Sequence, residues 1–206
     1  MKLIPVAYKI FRGGLKRIYA FYCWNITVIK LWLNGVEFSR DIVALGIPRV
    51  YVDPKAKFII GKNFVFKSGK IFSQIGRPHP TYFTVRYNGV LTIGNNVAIS
   101  NTAIVCEKAI TIENNVRIGA NVVIYDSNFH SFDVVKRTST SEDRSDIIRK
   151  PVTIEEGAFI GSHVTILKGV VIGKNSIVGS ASVVTKSIPS NEIWGGNPAR
   201  FIKTIS

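Results

Sequence analysis

From Ile154 an aliphatic side chain returns at every sixth residue, at Ile154, Ile160, Ile166, Ile172, Val178 and Val184. Glycine follows at Gly161, Gly173 and Gly179. An earlier register runs through Ile93, Ile99 and Val105, then slips by one residue to Ile112, Ile118 and Ile124. Further upstream, Ile60-Gly61, Phe66 and Phe72 hint at a degraded copy. A helix repeats every 3.6 residues and a simple strand every two, so neither explains a period of six. Short strands wound as stacked coils do: three hexapeptides close one triangular turn, and each face sends an aliphatic side chain inward. Gly94-Asn95-Asn96, Glu113-Asn114-Asn115 and Gly173-Lys174-Asn175 supply the corners, where Gly and Asn tolerate positive φ. The period therefore predicts an all-β chain, a parallel β-helix with coils about 4.8 Å apart.

The period breaks once, over Tyr125 to Pro151, before the next register opens at Ile154. So long an excursion between regular coils is costly to order and is usually functional or disordered. It carries His130, one of three histidines. The expected layout is a basic, aromatic extension over 1–45 and a β-helix domain over 46–206, with a protruding loop at 125–151 and a tail at 189–206.

The formal net charge is +14, and residues 1–92 hold fifteen basic against three acidic side chains. A front end so basic calls for an anionic partner: nucleic acid, an acidic lipid surface or a phosphorylated ligand. A merely solubilising face is the plainer reading. A hydrophobic share of 46% excludes wholesale disorder. Cys23 and Cys106 are the only cysteines, so there is no disulfide framework and no CxxC metal site, and a reducing, cytoplasmic compartment is expected.

Basic residues recur at Lys9, Arg12, Lys16 and Arg17 with no small-residue cleavage site after them, which fits a cleavable signal poorly. The apolar run Ile18 to Leu33 is sixteen residues long and contains Asn25 and Lys30, whereas a spanning helix needs about 20 apolar residues. On a helix Lys9, Arg12 and Lys16 share one face. Tyr19, Phe21, Tyr22, Trp24 and Trp32 are types that favour the headgroup zone. Two readings stand: a helix lying on the anionic inner face of the plasma membrane, or a helix packed on the rest of the domain. Gly13-Gly14 is expected to weaken any long helix here.

The stretch from Pro151 to Ile205, with IGSHV at 160–164, VVTKSIP at 183–189 and GGNPARFIK at 195–203, resembles the hexapeptide-repeat acyltransferases. Within them it is most similar to the sugar O-acetyltransferase branch, which includes galactoside and maltose acetyltransferases and those of capsule, exopolysaccharide and O-antigen. The likeness extends back through LTIGNNVAISNTAIV at 91–105 and loosely to residue 46. It implies a left-handed coil, against the usual right-handed crossover. It also implies transfer of an acetyl group from acetyl-CoA to a sugar hydroxyl, in a homotrimer whose active sites lie between subunits. No metal and no nucleic acid are expected.

By that resemblance His130 is the general base, because an imidazole titrates near neutral pH and can take the proton of an attacking hydroxyl. Asn101 matches an asparagine that hydrogen-bonds the acceptor. Asp126 is expected to orient the imidazole, with Asp133 and Glu142 as alternatives. Ser162, Gly179, Ser180, Thr185, Lys186 and Arg200 are expected around acetyl-CoA, with Lys203 near its phosphates. Gly179 and Ser180 could instead serve corner geometry alone, and Lys186 and Arg200 could be plain solvated cations. His163 either lines the cofactor cleft or serves the coil. His79 sits in a proline-rich turn with no clear partner.

Other classes predict different features. A γ-type carbonic anhydrase needs three histidines on zinc, two of them five residues apart, and His79, His130 and His163 hold no such pair. A non-catalytic, membrane-associated scaffold explains the basic front but neither the excursion nor the GGNPAR tail. Nucleic-acid binding rests on charge alone, with no motif beside it. N-acetylation of an amino sugar is the nearest rival among reactions, because amine and hydroxyl acceptors need similar machinery.

Overall fold

The structure is a computed structural model that describes residues 3–73, 75, 79–138 and 146–205. A helix, α1 (Leu3–Leu33), leads into six coils of three strands. The first coil holds β1 (Glu37–Phe38), β2 (Val43–Leu45) and β3 (Arg49–Val52), and the second β4 (Lys57–Ile60), β5 (Val65–Lys67) and β6 (Tyr82–Val85). The third holds β7 (Val90–Ile93), β8 (Ala98–Ser100) and β9 (Ala103–Cys106). The fourth holds β10 (Ala109–Ile112), β11 (Arg117–Ala120) and β12 (Val123–Tyr125), and after it comes a short helix, α2 (Val134–Thr138). The fifth holds β13 (Val152–Ile154), β14 (Phe159–Ile160) and β15 (Thr165–Ile166). The sixth holds β16 (Val171–Ile172), β17 (Ile177–Val178) and β18 (Val183–Val184); β19 (Glu192–Gly195) and β20 (Arg200–Thr204) close the stack. The first strands of the coils form one sheet, the second strands another, and the third strands the last. Successive coils pair in parallel, while β19 and β20 run antiparallel on the second sheet.

The period of six accounts for the core. Ile154, Ile160, Ile166, Ile172, Val178 and Val184 are all fully buried. Each such burial is worth about 1.5–3 kcal/mol, so a register slip that turned them outward would be prohibitive. In the second coil the aromatic side chains of Phe58, Phe64, Phe66 and Phe83 fill the core instead, with ring centroids 5.1–6.3 Å apart. At the corner between the first and second sheets Asn63, Asn96, Asn115, Asn175 and Asn191 take positive φ. Amide side chains there bond from coil to coil: Asn63 donates to Asn96 at 3.0 Å and Asn96 to Asn115 at 3.2 Å.

Several expectations need correction. The inward residue after Ile99 is Ile104, paired with Ile124; Val105 faces outward. Phe72 is not in a coil, and its ring stacks on Tyr19 of α1 at 5.9 Å. The coils begin at Glu37, which pairs with Ile59, inside the segment set apart as an extension. A second insertion, between β5 and β6, escaped the period altogether because the flanking strands pair across it in register.

The chain is not purely β, for α1 runs unbroken through Gly13-Gly14. Its last turns supply the reason. Cys23, Thr27 and Leu31 are buried, and the indole Nε1 of Trp24 donates to the carbonyl of Ile42 at 3.1 Å. The helix is thus nucleated on the first coil, and the remaining turns need only propagate, so two glycines at about 1 kcal/mol each do not end it. Leu31 and Val36 belong to the same apolar core as the coils, so α1 also covers the open end of the stack.

Candidate active site

One corner, between the second and third sheets, is built from stacked left-handed residues. Asn101, Asn121, His163 and Ala181 have φ of 46–63°. The amide of each donates to a carbonyl one coil below: Asn121 to Ser100 at 3.2 Å, His163 to Ala120 at 2.8 Å and Ala181 to Ser162 at 2.8 Å. This ladder is what His163 does for the coil. A Cβ on Gly119 would lie 2.6 Å from the Ser162 amide nitrogen, and one on Gly161 2.6 Å from that of Ser180, so the packing of the coils requires glycine at both. Gly179 differs, since the nearest atom to a Cβ there is the Trp194 carbonyl oxygen at 3.5 Å, an ordinary contact.

This corner brings Ser162, Gly179 and Ser180 into one column, with Ser162 half-buried and Ser180 exposed. Arg200 opens β20 opposite Gly195, and the Gly179 amide donates to Trp194 at 2.7 Å, so Arg200 belongs to the top of the same column. Lys203 lies further along β20, paired with Ile193. Thr185 and Lys186 are exposed beyond the far end of β18, at the opposite edge of the third sheet.

Asn101 stands lower on that corner, fully buried. Its Nδ2 donates to the carbonyls of His79 and Gly69, which is the role the structure finds for His79 and its turn. Its Oδ1 is buried with no hydrogen-bond partner. A buried acceptor left unsatisfied costs about 1–3 kcal/mol.

His130 springs from the other edge of the third sheet, where the chain leaves β12. It is exposed, and its amide donates to Asn128 at 2.8 Å. Phe129 before it takes φ 64°, its amide donates to Ser127 Oγ at 2.9 Å, and its ring packs on Tyr125 at 5.3 Å. The two feet of the excursion pair with each other: Asn128 donates to Ile148 at 3.2 Å and Lys150 to Asp126 at 2.9 Å.

Asp126 is not brought to His130. Its carboxylate turns into the corner after β9, where Oδ1 accepts from Glu107 N at 2.8 Å and Oδ2 accepts from Lys108 N at 2.7 Å and Ala109 N at 2.8 Å. Burial raises its pKa, opposed by those three donors and by the Cys106 thiol. The expected orienting role is therefore replaced by an anchoring one: a short carboxylate beside three bare corner amides bonds them first. Asp133 caps α2 through Val135 N and Lys136 N at 2.8 and 3.1 Å. Glu142 lies outside the described residues. A second anchor, invisible to any repeat, is Arg149, whose Nε donates to Glu107 Oε2 at 2.9 Å and whose guanidinium lies 5.1 Å above the Tyr87 ring. Among the described residues no three His, Cys, Asp or Glu side chains converge on a metal position.

Residues 151–186 match the family described as bacterial transferase hexapeptide (six repeats). Over those residues the chain carries the hexapeptide repeats of that transferase family. It is 36% identical over 128 residues to galactoside O-acetyltransferase of Escherichia coli K12, covering 62% of this chain and 59% of that enzyme. It thus spans about three fifths of that relative's length. To WbbJ of the same organism, named as a lipopolysaccharide biosynthesis O-acetyl transferase, it is 29% identical over 185 residues, covering 88% of each. Among solved structures, a galactoside acetyltransferase in complex with coenzyme A superposes with a TM-score of 0.54 at 33% identity, over 69% of this chain and 66% of that one. These hexapeptide-repeat neighbours imply the left-handed winding of the coils.

Proposed function

We propose that the chain transfers an acetyl group from acetyl-CoA to a hydroxyl of a saccharide, in the assembly of a surface polysaccharide. The observation that carries this reading is the loop bearing His130. It is the one exposed imidazole on a segment pinned to the rigid coils by two carboxylate anchors, Asp126 and Glu107. Precise placement of a base matters more than its mere presence.

In the reaction His130 takes the proton of the acceptor hydroxyl as that oxygen attacks the thioester carbonyl. Backbone N–H groups can stabilise the tetrahedral oxyanion. Its collapse breaks the C–S bond, and the thiolate recovers the proton from the imidazolium, leaving an O-acetyl ester and free CoA. No acyl-enzyme is formed. Asn101 Oδ1, buried and without a partner, is suited to accept a hydrogen bond from the acceptor once the neighbouring turn makes way. Ser162, Gly179, Ser180 and Arg200 form the donor's bed: nothing in the chain itself requires glycine at Gly179, whereas an extended arm laid along that corner would.

His130 and the Asn101 corner lie at opposite edges of the third sheet, separated by a four-residue strand of about 13 Å. A homotrimer in which the loop of one copy meets the corner of the next would unite them, and would bring Thr185 and Lys186 to the neighbour's column. Both cysteines are separate buried thiols, in keeping with a reducing, cytoplasmic compartment. The test is release of free CoA from acetyl-CoA against free, nucleotide-linked and lipid-linked sugars. His130→Ala should lower turnover about 100-fold or more on the responsive acceptor; turnover at the unmodified rate would overturn the mechanism.

A further inference from the structure

The C-terminal half of α1 packs on the coils, but the face opposite that contact is bare along the whole helix. Ile4, Phe11, Ile18 and Trp32 project from that face with 66–84% of their surface exposed. At 100° per residue these side chains, with Tyr22 and Ile29 between them, fall within one sector about 42 Å long that is apolar but for Asn25. A monomer surface rarely leaves so continuous a patch without use. No described helix is long and apolar enough to cross a membrane.

The flanks are entirely cationic. α1 carries Lys9, Arg12, Lys16, Arg17 and Lys30 and no acidic residue. Between α1 and the start of the second insertion runs a groove of about 910 Å³. Arg12 and Lys16 enter it from the helix, Lys67 and Lys70 from the coil side, and Tyr19 and Phe72 form its apolar wall. No carboxylate lines it. The cations of the helix and of the coil thus converge on a single space beside the bare face.

We propose that α1 lies in the headgroup region of an anionic phospholipid bilayer, its bare face in the acyl boundary, and that the groove receives a lipid phosphate. The charge is complementary, and each basic side chain held near such a surface adds to the attraction. Tyr8, Tyr22 and Trp32 on or beside the bare face are of the type that settles at that depth. A seam between copies of the chain would use the same stripe, because its positions from Ile4 to Trp32 follow one another in steps of seven, four and three. Such seams place opposite charges at their flanks, and α1 has only one sign to offer. This inference stands apart from the acetyl-transfer reading.

The test is sedimentation of the full chain with vesicles of phosphatidylcholine alone and with phosphatidylglycerol added. Binding is expected to the second kind only, with a blue shift of Trp32 emission, and to weaken severalfold when salt is raised from about 0.1 to 0.5 M. Phe11→Asp with Ile18→Asp, and separately Arg12→Glu with Lys70→Glu, should each reduce binding about tenfold or more while leaving circular dichroism and melting temperature unchanged. Absence of binding to the anionic vesicles at low salt would overturn the proposal. So would a Phe11→Asp, Ile18→Asp variant that keeps its vesicle binding but sediments as a smaller assembly, since that marks a seam between copies.

Discussion

Arg149 reaches back 42 residues to place its Nε 2.9 Å from Glu107 Oε2, on the same corner that Asp126 clamps through three backbone amides. Both feet of the His130 loop are therefore tied to one turn of the coil below. Glu107 is a buried carboxylate, and among the described residues its Oε1 has no hydrogen-bond partner and Arg149 is the cation that meets its Oε2.

Removing that partner should be expensive. Arg149→Ala leaves an uncompensated buried charge, and a loss of about 3–5 kcal/mol in urea unfolding is expected. Adding Glu107→Leu to it should recover most of the stability, because the charge that suffered is gone. Stability of the single variant within about 0.5 kcal/mol of the parent would mean that the pair is solvated and the loop held by other means.

Asp126→Asn separates anchoring from catalysis. The amide can offer one acceptor oxygen but turns an NH2 group towards donors, so at least one corner amide loses its partner. We expect a loss of about 1–3 kcal/mol in stability, together with a fall in turnover. Were Asp126 instead a partner of His130, the variant would melt like the parent and lose activity alone.

Cys106 yields a pH prediction. Burial, with the Asp126 carboxylate beside it, raises the thiol's pKa far above its usual 9.0. A raised folded-state pKa means that the contribution is fully present below 9 and lost as pH rises, because only the unfolded chain releases the proton. Stability should fall, in excess of other groups, by about 1.4 kcal/mol in all between pH 8 and 10, with the slope steepening through pH 9. Tyr19 and Tyr51, also raised from 10.0, add their own slope only above 10. Chemical denaturation between pH 8 and 10 of the parent and of Cys106→Val would show the slope in the first and not in the second.

The glycines of the donor corner should divide. Gly161→Ala puts a methyl group into backbone at 2.6 Å and is expected to destabilise by about 1–3 kcal/mol. Gly179→Ala meets nothing closer than 3.5 Å. Its melting temperature should be that of the parent, while KM for acetyl-CoA rises about tenfold, equivalent to about 1.4 kcal/mol of lost binding. An unchanged KM would remove Gly179 from the donor's bed.

The period of six, by itself, determined the coils. Ile154 to Val184 must all point inward because one slip would expose every one, and the asparagines at 96, 115 and 175 mark corners because few other residues accept positive φ. The repeat is local and additive, so it is legible in the chain. The uneven charge was equally legible, and with it the weight on the first 92 residues. The contacts between distant segments, which no period encodes, were settled by the folded molecule as a whole. Asp126 bonds a corner seventeen to nineteen residues back rather than His130 four residues on, because three unpaired amides lie there within reach. α1 runs through two glycines because its end is nucleated on the first coil. Phe72 leaves the repeat to stack on Tyr19, and in doing so walls a groove whose four cations come from segments about fifty residues apart. Burial and backbone satisfaction, summed over the whole molecule, chose among pairings that the chain's local pattern left equal.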